Sequence, residues 1–299
     1  MRPRGITRAD IATANLPRRK LVNRVMEAGA TLAAVVAVGI LCILVFSVAR
    51  RGWSELNWNL LTKTPSTDFF GDGPSGVANA VAGSLVIVGL AAAITLPVGI
   101  LIAIYLSEYA RPRVRSFVSV MLDVLAGVPA IVIGIFVYAL LVVGSGSSGS
   151  GWAGAFALST LMLPFATRAV QEVLALVPSS TREASLALGV PRWRTTLSIV
   201  LPQTIGGIVT GGTLAVARVA GETAPLLFVT SIVDQQMHWS PSHALQTIPV
   251  TIFEYSEQPD PKLHAQAWAI GFVLLLFILV TNLGARALAA RNRRRLTGR

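Results

Sequence analysis

Residues 217–227 read ARVAGETAPLL and set Arg218 and Glu222 four positions apart, inside a run from Thr204 to Val233 that is otherwise apolar or small. On a helix, that spacing places both charges on one face, where such a pair contributes about 0.2–0.5 kcal/mol, with arginine on the amino side the weaker order. One such charge at the middle of a membrane costs about 2.5–3.5 kcal/mol. The pair therefore does not account for its own burial. A fixed guanidinium offers a planar fork that matches the oxygens of an oxyanion better than a lysine does. Were the passing solute an anion, the spacing would allow a swap, in which Glu222 occupies the fork while a pathway is empty and yields it to that anion. At 1.5 Å per residue Arg218 lies roughly 21 Å from Thr204, near or beyond the middle of a core roughly 30 Å thick. Gly206, Gly207, Gly211, Gly212 and Gly221 allow close helix approach or a water-lined face, and Pro225 removes a backbone donor and favours a kink.

Other polar residues fall at membrane depth. Arg168 and Glu172 repeat the four-residue spacing near the inner end of an apolar run, and two readings stand: a gate at the exit, or side chains reaching for headgroups. Asp123 reads as an interface or subunit contact rather than a proton relay. No catalytic constellation is present: there is no phosphate-cradling GxxxxGK[ST], no HExxH and no nucleophile elbow. Cys42 is the one cysteine, and His238, His243 and His264 lack metal-ligand spacing, so neither a metal nor a cofactor is expected on this chain. With no means of hydrolysing ATP itself, active transport would draw on an ion gradient or on another subunit.

The elements that position these residues are apolar runs. The chain is 53% hydrophobic and 13% charged, which excludes an ordinary soluble domain. Six spans can be drawn, at 29–49, 77–106, 117–143, 151–177, 204–233 and 265–288, and an all-α integral membrane protein is expected. The fourth is the least apolar, its second half amphipathic. The net charge of +11 sits at span ends rather than on a nucleic-acid face. Placing both termini in the cytoplasm gives 19 lysines and arginines inside against four outside (Arg50, Arg51, Lys63 and Lys262), which sets the orientation. Trp53, Trp58, Trp152, Trp239 and Trp268 then share the outer interface. Residues 1–28 read as a basic cytoplasmic tail, 29–49 as an anchor rather than a cleaved signal, 75–288 as the core, and 289–299 as a basic tail at the headgroups. Outside, 50–76 is a polar loop carrying Glu55, Asp68 and Asp72, GSGSSGSG at 144–151 is a flexible linker by composition, and 234–264 holds TIPVTIFEY, re-entrant, interfacial or a docking surface.

The cytoplasmic segment 178–203 is more than a connector. REASLAL reads as a short amphipathic helix, Gly189 ends it with Pro191 close behind, and PRWRTTLSIVLP begins a second helix. Trp193 is suited to anchoring a partner. Within it, Glu183, Ala184, Ser185, Gly189, Ile199, Leu201 and Pro202 stand at the spacings E-A-A-x3-G-x9-I-x-L-P, with Ser185 for the third small residue. That pattern resembles the loop signature of ABC importer permeases. LAGVPAIVIGIFVY (125–138), LPFATRAVQEVLALVP (163–178) and ARVAGETAPLLFVT (217–230) further resemble phosphate importer permeases of the PstA type; GETAPL favours that type over its PstC-type sibling, and Val219 stands where alanine is commoner.

The resemblance, which spans roughly 75–285, implies the type I importer permease fold in a bacterial inner membrane. It implies that 178–203 is the coupling helix seated in an ATP-binding subunit, and that the substrate passing Arg218 and Glu222 is phosphate. The partners implied are a PstC-type permease, two PstB-type ATPases using ATP and Mg, and a PstS-type binding protein outside. Two alternatives stand: an ABC importer permease for another oxyanion, and a gradient-driven anion carrier with Glu222 as proton site, which leaves the 178–203 loop without a purpose.

Overall fold

A computed structural model describes residues 16–65, 76–144, 146, 149–230 and 236–297. Residues 1–15 of the expected tail, 66–75 with Asp68 and Asp72, residues 145, 147 and 148 of the Gly/Ser segment, 231–235 and 298–299 lie outside the described residues. The chain divides into two compact units, 1–50 and 51–299.

The first unit is the greater part of one helix, α1 (Leu16–Gly52). It starts well before the apolar run, so residues 16–28 are helical too. Leu32, Ile40, Ile43 and Phe46 are exposed on its various sides. A helix apolar all round and long enough to cross hydrocarbon is suited to lipid.

The second unit is built around α6 (Gly151–Ala175), after α2 (Trp58–Thr62), α3 (Ala78–Ile104), α4 (Pro112–Gly127) and α5 (Ala130–Val137). It continues with α7 (Ser179–Ala187), α8 (Arg192–Thr195), α9 (Leu201–Ala220), α10 (Leu226–Val229), α11 (Ile248–Glu257) and α12 (Pro261–Thr297). Single π-helical turns extend α3 over Tyr105–Tyr109 and α5 over Tyr138–Val143, and join α8 to α9 over Thr196–Val200. The least apolar span, α6, is the central one: 67% of its most apolar window is buried. It packs against α3 and α9, and α9 in turn against α12. The α6–α9 approach depends on glycine: a Cβ on Gly211 would lie 2.8 Å from that of Ala169, and one on Gly207 only 2.5 Å from Cγ1 of Val173.

Two expected spans are broken. Among the described residues five helices are long and apolar enough to cross a membrane; a sixth crossing requires joining Pro112–Gly127 to Ala130–Val143 across a bend of 95°. The expected span 117–143 is therefore an elbow. Pro129 lacks the N–H that would continue α4, and Val128 before it takes an extended conformation at φ −67°, ψ 130°. The expected span 204–233 is also interrupted. Its helix stops at Ala220, with Gly221 as its cap, because Pro225 has no donor for the carbonyl of Gly221; α10 starts after that proline. The 221–225 turn lies against α5, where a Cβ on Gly134 would come 2.6 Å from Cα of Pro225.

The connections sort to the two ends as expected. At one end Glu108 meets Arg182 and Tyr109 meets Thr196. At the other, the amides of Gly151 and Trp152 donate to the carbonyls of His243 and Pro241, and that of Ser150 to Val229. The last residues of the glycine-rich segment are thus pinned rather than free. TIPVTIFEY forms most of α11, which packs on α3 and α12 through Ile248 and Tyr255.

Candidate functional site

Arg218 sits in the last turn of α9, where a cation complements the partial negative charge of the helix C-terminus. The close α6–α9 approach brings Phe165 of α6 beneath it, with the guanidinium carbon 4.1 Å from the ring centroid. Arg218 is exposed in the isolated chain, and Glu222 is half-buried.

The expected Arg218–Glu222 pair is not formed. Glu222 lies beyond the helix end, its amide donating to the carbonyl of Val219 in the 221–225 turn, so the four-residue spacing no longer places it on the face of Arg218. Among the described residues the ion pairs are Arg168–Asp123 and Arg182–Glu108. The two residues remain neighbours at a break in a span, where irregular backbone is tolerated when protein or water satisfies it.

Arg168 also takes a different partner from the expected one. Its Nη2 donates to Asp123 at 2.6 Å and to the Ser119 carbonyl at 2.9 Å, and its Nη1 to Gln171 at 3.1 Å. Glu172, one turn further along α6, is exposed. Asp123 comes from α4, so this contact ties the elbow to the central helix.

The 178–203 segment has the expected helix–glycine–helix form. Gly189 adopts φ +79°, a left-handed conformation that suits glycine. Its amide donates to Leu186 and that of Val190 to Ser185, which closes α7 as a Schellman motif. Ser185 is buried, and its hydroxyl lies 2.9 Å from that of Thr195, which locks α7 to α8. Glu183 and Ala184 are exposed, Pro202 is exposed, and Ile199 and Leu201 are partly covered. Leu188 is 84% and Trp193 56% exposed, two apolar side chains projecting from one rigid knob.

The fastening of that knob was not foreseen. Arg182 of α7 grips Glu108 beyond α3: Nη2 donates to Oε1 at 2.8 Å and Nε to both oxygens at 3.1 Å. The same guanidinium donates to the carbonyls of Leu174 and Val177 at the end of α6. One side chain thus fixes α7 to two spans. The partners are 74 residues apart, so no spacing in the sequence signals them.

A second unforeseen network lies at the opposite end. Asn79 of α3 donates to Gln246 at 2.8 Å, and Gln246 donates to Glu254 of α11 at 2.8 Å. Burial raises the Glu254 carboxyl above the usual carboxylate range, and the hydrogen bond from Gln246 offsets part of that. Burial and the neighbouring Glu254 charge push the Tyr255 hydroxyl up to about 12. Among the described residues no group of three or more His, Cys, Asp or Glu is placed to hold a metal ion.

The described residues form helices with several apolar spans, a central helix and a rigid knob at one end. The chain belongs to the family described as binding-protein-dependent transport system inner membrane component, whose family model matches residues 95–294. Within it the chain groups with the PstA permeases. It is 37% identical over 270 residues to the phosphate transport system permease protein PstA of Haemophilus influenzae, covering 90% of this chain and 94% of the relative. The corresponding protein of Yersinia pestis is 39% identical over 255 residues, 84% of each chain. A chain of a bacterial ABC transporter involved in the import of the acidic polysaccharide alginate has the same fold, with a TM-score of 0.59 at 15% identity over 90% of this chain and 98% of that one. So does a chain of the MetNI methionine ABC transporter, at 0.57 and 18% over 73% and 94%. The protein is a multi-pass membrane transport subunit rather than an enzyme.

Proposed function

We propose that this chain is one of two membrane subunits of an ATP-driven phosphate importer and carries half of its translocation pathway. The observation that supports this best is the similarity to PstA permeases along nearly the whole chain. The other half would come from a PstC-type permease. Two PstB-type subunits would bind ATP and Mg and engage the 178–203 knob through Leu188 and Trp193. A PstS-type protein would deliver phosphate at the end bearing α11. In this reading both termini are cytoplasmic, as the basic residues require.

Arg218 recognises the anion. An exposed arginine in a span does not face hydrocarbon cheaply, so its face of α9 belongs to the pathway shared with the sibling. Arg168 and Arg182 spend their donors on protein oxygens; Arg218 rests on a ring and keeps its fork for phosphate. Glu222 at the adjoining break adds a negative charge that discourages a lodged anion and helps release it. Closure of the ATPase dimer moves α7, and the Arg182–Glu108 joint passes that movement to α3 and α6. Arg168–Asp123 links α4 to α6 nearer the knob and acts as the inner gate.

The test is uptake of radiolabelled phosphate, with sulfate beside it, in cells lacking the gene and complemented with the intact chain. Restored phosphate uptake without sulfate uptake supports the assignment. Restored sulfate uptake alone replaces the substrate, and uptake that persists when ATP is depleted and the proton gradient is kept replaces the energy source.

A further inference from the structure

We propose that Phe165 is a positioning residue for anion transfer: its ring holds the Arg218 guanidinium at the break in the span while leaving the N–H donors to the passing oxyanion. The inference rests on the reading of Arg218 given above and adds a residue with no charge and no hydrogen-bonding group to it.

A cation that must bind and release an anion on each cycle needs to be held by something that does not compete for its donors. A carboxylate would hold it through the same fork that the substrate uses. An aromatic face attracts a guanidinium through its quadrupole and offers no oxygen acceptor. The two other arginines show the contrast. The Nε, Nη1 and Nη2 of Arg168 are taken by Asp123, Gln171 and Ser119, and those of Arg182 by Glu108, Val177 and Leu174. Both have their donors engaged by protein oxygens. Arg218 has the ring at 4.1 Å and, among the described residues, no carboxylate in salt-bridge reach.

Phe165 is itself held firmly. It packs against the buried cluster that includes Leu161, Met162 and Val219, so the ring is a fixed platform on the central helix. Val219 follows Arg218 in sequence and is 2% exposed, so α9 is also held where Arg218 leaves it. Arg168 follows Phe165 by three residues, about 4.5 Å further along α6. An anion leaving Arg218 along this face thus meets the Arg168–Asp123 contact next, and a well-placed Arg218 sets the start of that step.

The experiment uses the complete importer in cells lacking the gene, with maximal phosphate uptake measured per membrane copy at saturating phosphate. Position 165 carries Tyr, Leu, or phenylalanine bearing one, two or three fluorines, which weaken the quadrupole with little change of shape. Phe165→Tyr is expected to keep near full rate. Phe165→Leu is expected to lose about two- to five-fold, and the fluorinated series to fall stepwise toward it. A flat fluorinated series overturns the inference even if Phe165→Leu is impaired, because the ring then acts only by filling space. Arg218→Gln separates the two levels. Full uptake by that variant overturns the pathway reading itself; lost uptake beside a flat series overturns only the role of Phe165.

Discussion

Arg182→Met, Glu108→Gln and the double variant test the joint between the coupling knob and the spans. The Arg182 side chain is 23% and that of Glu108 10% exposed, and the guanidinium also serves two carbonyls. Removing one partner of a fully buried pair costs about 3–5 kcal/mol, whereas an exposed pair contributes about 0.2–1 kcal/mol. With part of the arginine in solvent, Arg182→Met falls between these limits, at about 2–3 kcal/mol. At 1.4 kcal/mol per factor of ten, that lowers the equilibrium constant between the fastened and the loose loop about 30- to 140-fold. Much of this is the penalty for a carboxylate left alone, so Glu108→Gln added to Arg182→Met recovers part of it. The assay is phosphate uptake per membrane copy, together with the amount of ATPase subunit retained on purification. Arg182→Met is expected to lose both, and the double variant to exceed it in both. Wild-type behaviour of Arg182→Met, or a double variant whose loss is the plain sum of the two singles, refutes the joint.

Two further outcomes follow from local geometry. Gly189→Ala meets no atom within 4 Å, so its cost is the left-handed backbone alone, about 1–2 kcal/mol. Less ATPase subunit is expected to co-purify with Gly189→Ala, and Gly189→Asn should recover part of it; equal retention by Gly and Ala removes the argument. Glu254 titrates in the opposite sense to a salt-bridged acid, since its carboxyl is raised from 4.5 by burial. Its contribution to stability is full below pH 4.5 and is lost as pH rises through the raised value. Glu254→Gln should therefore raise the thermal midpoint of the purified permease at neutral pH and leave it nearly unchanged at pH 4.5; no difference in pH dependence from wild type contradicts this.

The helices and their partition between two ends were legible because runs of apolar residues and the placement of Lys and Arg are both local signals. The 178–203 knob was legible for a similar reason: Gly189 is the one residue there that suits a left-handed turn, and the chain around it reads as two helices. The breaks were less visible. A hydropathy window averages across Gly127–Pro129 and Gly221–Pro225, so each broken element reads as one span although the prolines stand in plain view. Pairing was least visible. Arg218 and Glu222 were matched by helical spacing, and the helix ends between them. Arg168 was matched to Glu172 on its own helix, whereas its partner Asp123 comes from another, 45 residues away. Phe165 and the Asn79–Gln246–Glu254 chain carry no local mark at all, since they acquire their meaning from tertiary packing.

The central claim is that Arg218 meets the anion, and uptake of radiolabelled phosphate tests it most directly. Cells lacking the gene would carry wild type, Arg218→Gln or Arg218→Lys at matched membrane abundance. Loss of uptake in the glutamine variant, with the lysine variant impaired nearly as much, is the expected result, because a point charge does not replace the planar fork. Full uptake by Arg218→Lys would contradict bidentate recognition, and full uptake by Arg218→Gln would remove Arg218 from the pathway.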